Sequence, residues 1–450
     1  MKEVIQEIEN INNSFNYLVE TIPIDENYDG DFITISIKDA ILIKNSQARS
    51  SSKILNNYFP VNDSKVIKNT KDYFKNKNIK PIFIGKTIHD EFGFGGYNVN
   101  VGIDKKIPKN PYDDKRSCGG SSGGCAGFTA KTKFRHISIA ESTGGSISTP
   151  ASFCGVYGLT PTYGLISRDG LISYANSLDK IGIMAKDILD IAVGLEMIDG
   201  YDLNDCTNVK HENKNYVDLL NDDTKYKNNT IKIGLINLDE NNQINNNVKD
   251  KIDQLKNNLD KSNIKVEIET VDISFINKYS LPVYYILSLS EASTNLSKLC
   301  GLRYGVQNIP TNLNYNDYFI KIRSENFSKE TKRRIILGTF ARMASYRDAY
   351  MNKAMRVRKL IIDKYLEIFN NFDFLIGPST PTIAPLIDEI KNISPYEEML
   401  ADTYCCCPNL AGLPHISIPS GKDNNMPTGM MIISNHFTED KLLWLSNKIK

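Results

Sequence analysis

The chain has 450 residues, 41% of them apolar and 24% charged, with 54 Lys+Arg against 53 Asp+Glu and a formal net charge of +1. This composition excludes a disordered or fibrous chain, and the length carries either one large α/β unit or two to three smaller domains. The balanced charge lacks the basic excess of a protein that grips RNA unaided, so nothing here calls for direct nucleic-acid affinity.

Val4, Ile8, Ile11, Phe15 and Leu18 recur at steps of three and four and predict an amphipathic N-terminal helix. Its mixed charge and lack of an apolar stretch fit no secretory signal. Residues 32–38, FITISIK, are β-branched and partly alternating and read as a strand; residues 80–98 read as a strand followed by a loop, with helix, turn and helix between. The region 117–180 is rich in Gly, Ser and Thr but is interleaved with HISIA (136–140), FCGVYGL (153–159) and GLIS (170–173), apolar segments that a flexible linker lacks.

Residues 181–225 read as helical, turning polar and Asn-rich by about 230. A strand at 230–237, a helix at 245–261 and a strand at 264–271 favour a parallel pair joined by a right-handed crossover. Residues 281–299 and 332–369 read as helices, and the stretches 372–381 and 415–421 each end a strand at a small-residue loop. A late strand at 426–435 and a helix at 438–450 complete the pattern, with no internal repeat. The predicted class is α/β: one domain over 1–450 with a large mixed β-sheet flanked by helices on both faces. No run of 18 apolar residues predicts a membrane span. Of the eight cysteines, Cys405, Cys406 and Cys407 are consecutive. Adjacent side chains point different ways and do not converge on one metal, so they read as small buried residues of a reducing, cytoplasmic compartment.

Two glycine–serine clusters stand out, CGGSSGGCAG at 118–127 and ESTGGSISTP at 141–150. Neither ends in the Lys-Ser/Thr of a phosphate-binding loop. In the second, a strand (HISIA) meets a turn (ESTGG) and a segment able to open a helix. A serine at such a corner exposes its hydroxyl beside backbone N–H groups. Thr143, Gly144 and Gly145, just before Ser146, then offer an oxyanion hole for a tetrahedral acyl intermediate. A Gly-Gly-Ser turn that only caps a helix fits the same letters. None of the five histidines forms an obvious Ser-His-Asp pattern. Lys38, at the end of the apolar strand, is a site where burial can hold an amine uncharged.

The segments SIKDAI, GKTIHDEFGFG, NPYDDKRSCGGSSGGCAG, ESTGGSISTPASFCGVYGLTPTYGLIS and YANSLDKIG, in this order, resemble the amidase signature family. The later stretches SLSEASTNLSKLCGLRYG, KRRIILGTF, RDAYMNKAMRVRKLI, LIGPSTPT and PNLAGLPHISIPSG resemble one branch, the glutaminase subunits of tRNA-dependent amidotransferases. The resemblance implies a triad of Lys38 as base, Ser121 as a bridging serine after a cis peptide and Ser146 as nucleophile, with Ser122 the alternative to Ser121. It also implies that Arg334, with Arg333 as rival, pairs with the carboxylate of glutamine. Asp402 would hold its ammonium, and Tyr285 would add a contact. An N-terminal helix over about 1–30 and an insertion over about 195–345 carrying part of the glutamine pocket are expected.

No metal and no organic cofactor is expected on this chain. ATP and Mg would be used by a B-type partner that also binds the misacylated tRNA, with a small C-type partner completing a heterotrimer. The chain departs from the family pattern at Cys118 before GGSSGG, at Glu141-Ser142 before TGGS and at His89 in GKTIHDEF. Three readings follow: the glutaminase of a tRNA-dependent amidotransferase, a free-standing amidase acting on a small amide, and a non-catalytic scaffold.

Overall fold

A computed structural model describes residues 1–227, 229–236, 242–307 and 312–449. Eleven strands form one mixed sheet: β1 (Leu18–Thr21), β2 (Phe32–Lys38), β3 (Lys80–Thr87), β4 (His136–Ser142), β5 (Tyr157–Thr160), β6 (Lys180–Ala185), β7 (Ile231–Ile236), β8 (Val266–Val271), β9 (Phe374–Pro378), β10 (His415–Asp423) and β11 (Met426–Ser434). Their order is β1-β3-β2-β4-β6-β5-β10-β11-β9-β7-β8. The segments β3-β2-β4 and β9-β7-β8 are parallel, and the strands between them pair antiparallel.

Strand β2 shows how the sequence aims its side chains. Ile33, Ile35 and Ile37 join the largest apolar core, with Val66, Ile67, Ile191 and Leu195 from the helices Lys65–Phe74 and Ile188–Ile198. Successive strand residues face opposite sides, so Thr34, Ser36 and Lys38 face the other way. There Ser36 Oγ lies 2.6 Å from Ser138 Oγ, which in turn lies 2.9 Å from Thr129 Oγ1 on the helix Gly123–Lys131. Helices thus cover both faces, an apolar seam on one and a hydrogen-bonded polar seam on the other.

The N-terminal helix spans Lys2–Phe15 and buries Val4, Ile8 and Ile11. Asn16 in the left-handed region (φ 62°) closes it, so Leu18 opens β1 rather than continuing the helix. The strands expected at 32–38, 136–140, 264–271, 372–381, 415–421 and 426–435 are present, the strand expected to open 80–98 spans Lys80–Thr87, and the parallel pair β7 and β8 lies around the helix Gln243–Lys261. Asn237 and Lys450, the last residues of two expected elements, lie outside the described residues.

The helical reading of 181–225 holds only over Ile188–Ile198 and a single turn at Tyr216–Leu219. Residues Lys180–Ala185 form β6, all six buried, and the helix begins at Ile188. A strand covered on both faces presents a continuous apolar run instead of an alternation, and such a run imitates a buried helix. The first part of the expected helix–turn–helix is a single 3₁₀ turn, Lys53–Leu55. The helical stretch 332–369 is two helices, Lys329–Arg342 and Lys353–Phe369, with a π-helical turn at Asp348–Asn352 between them. No helix among the described residues is long and apolar enough to cross a membrane.

Candidate active site

The site forms where the ends of β2 and β4 meet the two glycine–serine loops. Lys38, the last residue of β2, is fully buried. Its Nζ lies 2.7 Å from Ser121 Oγ, 3.0 Å from the Glu141 carbonyl oxygen and 2.8 Å from Glu141 Oε2. The Gly120–Ser121 peptide bond is cis. Ser122 turns elsewhere, its hydroxyl donating to the Glu141 carbonyl at 3.1 Å. Of the two serines in GGSSGG, Ser121 therefore faces the lysine.

Ser146 follows the turn after β4 and is buried, 6% exposed. Its carbonyl accepts from the Ser122 backbone N–H at 3.2 Å, which joins the two loops. The turn is shaped locally. Ser142 Oγ donates to the Gly144 carbonyl at 3.0 Å, and the Thr149 N–H donates to the Gly145 carbonyl at 2.9 Å as the helix Ser148–Cys154 begins. Gly144 and Gly145 have no room for a side chain. A Cβ on Gly144 would sit 2.7 Å from the Tyr284 hydroxyl oxygen, and one on Gly145 would sit 2.6 Å from Asp402 Oδ1. The loop predicted to cradle an oxyanion is packed directly against Asp402, one of the residues expected to bind substrate, and against Tyr284.

Those residues come from three distant segments. Tyr285 lies on the helix Ser274–Asn295, Arg334 on the helix Lys329–Arg342 and Asp402 at the end of a short turn before Cys405. All three are buried. Tyr285 donates its hydroxyl to Asp402 Oδ2 at 2.9 Å. The Arg334 guanidinium donates to Glu330 Oε1 at 2.6 Å and to the Tyr174 hydroxyl at 3.0 Å, and stands 5.6 Å from the centre of the Tyr285 ring. Arg333 also pairs with Glu330 but is partly exposed, so Arg334 is the arginine that faces inward. Burial pushes the Asp402 carboxyl up to about 6, against the pull of the Tyr285 hydroxyl, the Arg334 charge and the Gly145 N–H. The pocket thus pairs a buried cation with a buried, titratable acid.

Several participants were not foreseen. Glu141 stood out only as a departure from a pattern, yet its carboxylate shares the Lys38 amine. Thr143 Oγ1 lies 2.8 Å from Glu141 Oε1 and 2.8 Å from Asp179 Oδ1, so its side chain has a role beside its backbone N–H. Burial and then the Glu141 charge push the Asp179 carboxyl up to about 8. Tyr174, under Arg334, also went unassigned. The contacts that join these residues to Lys38, Asp179 and Arg334 span 103, 36 and 160 positions, so no local signal marks them. His89 is buried near Lys38 and held uncharged by burial. No group of three or more His, Cys, Asp or Glu side chains among the described residues is placed to hold a metal.

Chemically, the arrangement offers an amine in contact with the Ser121 hydroxyl, a second serine on the adjoining loop, and glycine amides beside buried groups of opposite charge. Those are the parts an amide-cleaving serine nucleophile uses. A family model described as Amidase matches residues 32–443. The chain is 39% identical over 412 residues to the A-type subunit of glutamyl-tRNA(Gln) amidotransferase from Caldanaerobacter subterraneus subsp. tengcongensis, covering 91% of this chain and 80% of that protein. It is 40% identical over 417 residues to the protein of that name from Halothermothrix orenii, covering 91% and 82%. Among solved structures, the A-type subunit of the Thermotoga maritima glutamyl-tRNA(Gln) amidotransferase superposes with a TM-score of 0.78 at 31% identity, covering 98% of this chain and 89% of that one.

Proposed function

The chain belongs to the amidase family, and on that premise we propose that it is the glutamine-hydrolysing, A-type component of a tRNA-dependent amidotransferase. Its work is to release ammonia from glutamine, for use on a misacylated tRNA held by its partner subunits. The observation that carries this reading is the buried contact of Lys38 Nζ with Ser121 Oγ at 2.7 Å, set beside a pocket containing Arg334 and Asp402. A simple hydrolase of apolar amides has no need of a buried cation–acid pair; glutamine carries a carboxylate and an ammonium that match it.

The reaction runs in two halves. Ser146 Oγ attacks the side-chain carbonyl carbon of glutamine while its proton passes through Ser121 to the uncharged amine of Lys38. The oxyanion takes hydrogen bonds from the backbone N–H groups of the turn at Thr143 and Gly144, the Gly145 N–H being turned to Asp402; loss of such a donor typically costs about 10²–10³ in kcat. Collapse of the tetrahedral intermediate expels ammonia, which leaves with the proton returned through the relay. Water, deprotonated by the same route, then cleaves the glutamyl ester and releases glutamate. Covalent catalysis replaces one hard step by two easier ones.

Arg334 would hold the α-carboxylate of glutamine, Asp402 its ammonium, and Tyr285 would fix the Asp402 carboxylate. The chain's own step needs no cofactor; ATP and Mg²⁺ belong to acyl activation on a B-type partner. That partner and a small C-type subunit complete a cytoplasmic heterotrimer, and the chain's near-neutral charge suits a component that leaves RNA contact to its partner. The test is a glutaminase assay with and without candidate B-type and C-type partners and misacylated tRNA. Ammonia production that rises when all are present is the expected result. Full amidase activity from the chain alone, with no B-type protein recruited, would make it a free-standing amidase.

A further inference from the structure

The contacts of Lys38 account for every valence of its nitrogen. Nζ has three oxygen neighbours, Ser121 Oγ, the Glu141 carbonyl and Glu141 Oε2. An ammonium would donate to all three. An uncharged amine keeps two N–H groups and one lone pair. A backbone carbonyl and an ionised carboxylate can only accept, so both N–H groups go to Glu141. The lone pair is then left facing Ser121, the direction from which the proton of the nucleophile arrives.

The Glu141 carboxylate is fixed from its far side as well. Thr143 Oγ1 lies 2.8 Å from Glu141 Oε1 and 2.8 Å from Asp179 Oδ1. A hydroxyl has one hydrogen to give, so the second of these contacts needs a carboxyl that carries its own proton. Asp179 is deeply buried, receives the backbone N–H groups of Tyr174 and Ala175, and has its carboxyl raised to about 8 by burial and the Glu141 charge. Thr143 Oγ1 thus links the Asp179 and Glu141 carboxyl groups, and Glu141 meets Lys38 through its other oxygen.

We infer that Glu141 is a positioning residue for the general base: by taking both N–H groups of the Lys38 amine it aims the lone pair at Ser121, and it sets a carboxylate charge against that amine. The inference rests on Lys38 being the base. Of the other groups around the amine, His89 is uncharged, the Cys125 thiol is raised to about 11 by burial, and Lys86 on β3 faces Asp39 and the Ile41 carbonyl. Glu141 therefore supplies the counter-charge.

The experiment follows covalent labelling of Ser146 by phenylmethanesulfonyl fluoride in the assembled complex, with mass spectrometry locating the adduct. Ser146 Oγ displaces fluoride from sulfur, and its proton leaves through Ser121 and Lys38, so the rate reports the relay without requiring glutamine. Removing a negative charge beside an ammonium disfavours the protonated form. In Glu141→Gln and Glu141→Ala the acidic limb of the labelling rate is thus expected to move about one to three pH units lower. On the alkaline plateau Glu141→Ala is expected to label at least tenfold more slowly, on the order of an orientation effect, and Glu141→Gln, which keeps one acceptor, less so. A limb that stays in place in both variants overturns the inference, because a merely structural residue changes the plateau alone. Lys38→Ala separates the premises: labelling of Ser146 at the wild-type rate in that variant removes the base assignment itself.

Discussion

The Tyr285 hydroxyl and the Asp402 carboxylate meet at 2.9 Å, and through them the helix Ser274–Asn295 reaches the loop before Ser146. Asp402 Oδ1 occupies the space that a side chain on Gly145 would need. On the proposed roles, substrate binding and transition-state stabilisation are not independent modules; one carboxylate borders both.

Asp402→Asn keeps an acceptor for Tyr285 but removes the charge offered to an ammonium. The KM for glutamine is expected to rise about 10- to 100-fold, the equivalent of the 1.5–3 kcal/mol of a charged hydrogen bond. The wild-type pH dependence follows the same group. Its carboxyl is raised to about 6, so it is ionised above that pH and protonated below it. As pH falls through about 6, KM should increase in the wild type and stay flat in Asp402→Asn, as read by steady-state glutaminase kinetics.

Arg334→Lys should raise KM by about tenfold or more, since an ammonium cannot reproduce the planar fork that engages Glu330, Tyr174 and a carboxylate together. Arg333→Lys, at the more exposed neighbour, should change KM by less than about twofold if the side chains divide as the geometry divides them. Equal effects from the two substitutions would contradict the pocket assignment.

Ser146→Ala removes a single buried oxygen and should leave thermal unfolding almost unchanged. Glutamine hydrolysis is expected to fall by at least about 10⁴-fold, in line with loss of a covalent nucleophile. Wild-type ammonia release from this variant would move the nucleophile elsewhere.

Lys38→Met should inactivate and destabilise together. It strands the Glu141 carboxylate in the interior without the N–H donors of Lys38, and leaving a buried polar group unsatisfied costs about 1–3 kcal/mol, more for a charged one. Adding Glu141→Leu should restore much of the melting temperature without restoring activity. Recovery of stability without catalysis in the double variant, by calorimetry and ammonia assay, separates the two roles of the lysine.

Gly145→Ala places a methyl group 2.6 Å from Asp402 Oδ1 and 2.8 Å from Thr149 Oγ1. Displacing the loop by a fraction of an ångström should lower kcat and raise KM at once. The loss in kcat/KM is expected near 10²-fold, the scale of a small misplacement at a reacting centre.

Much of this architecture was legible from residue order. FITISIK gave β2 at its observed bounds because its β-branched residues alternate with smaller polar ones. KIGIMA, equally a strand, gave no alternation because both of its faces are covered, and it read as helix. Among site residues, Lys38, Ser121 and Ser146 stood in recognisable motifs, while Arg333 and Arg334 differ only in which side of a helix turns inward, which the burial of each decides. Glu141 and Asp179 were invisible as participants. A buried carboxylate acquires its meaning from a partner, and the partner of Glu141 lies 103 positions earlier on the neighbouring strand.

The pairing of β2 with β4 sets Ser36 opposite Ser138 and Ile37 opposite Ile139, so the two strands end side by side. If that zipper closed one notch out of step, Lys38 would swing to the isoleucine side and Glu141 would lose its neighbour, although the same atoms would still be present. A chain misaligned in this way would be full-length, chemically intact and inert. Quality control of folding is, for this protein, also quality control of its chemistry.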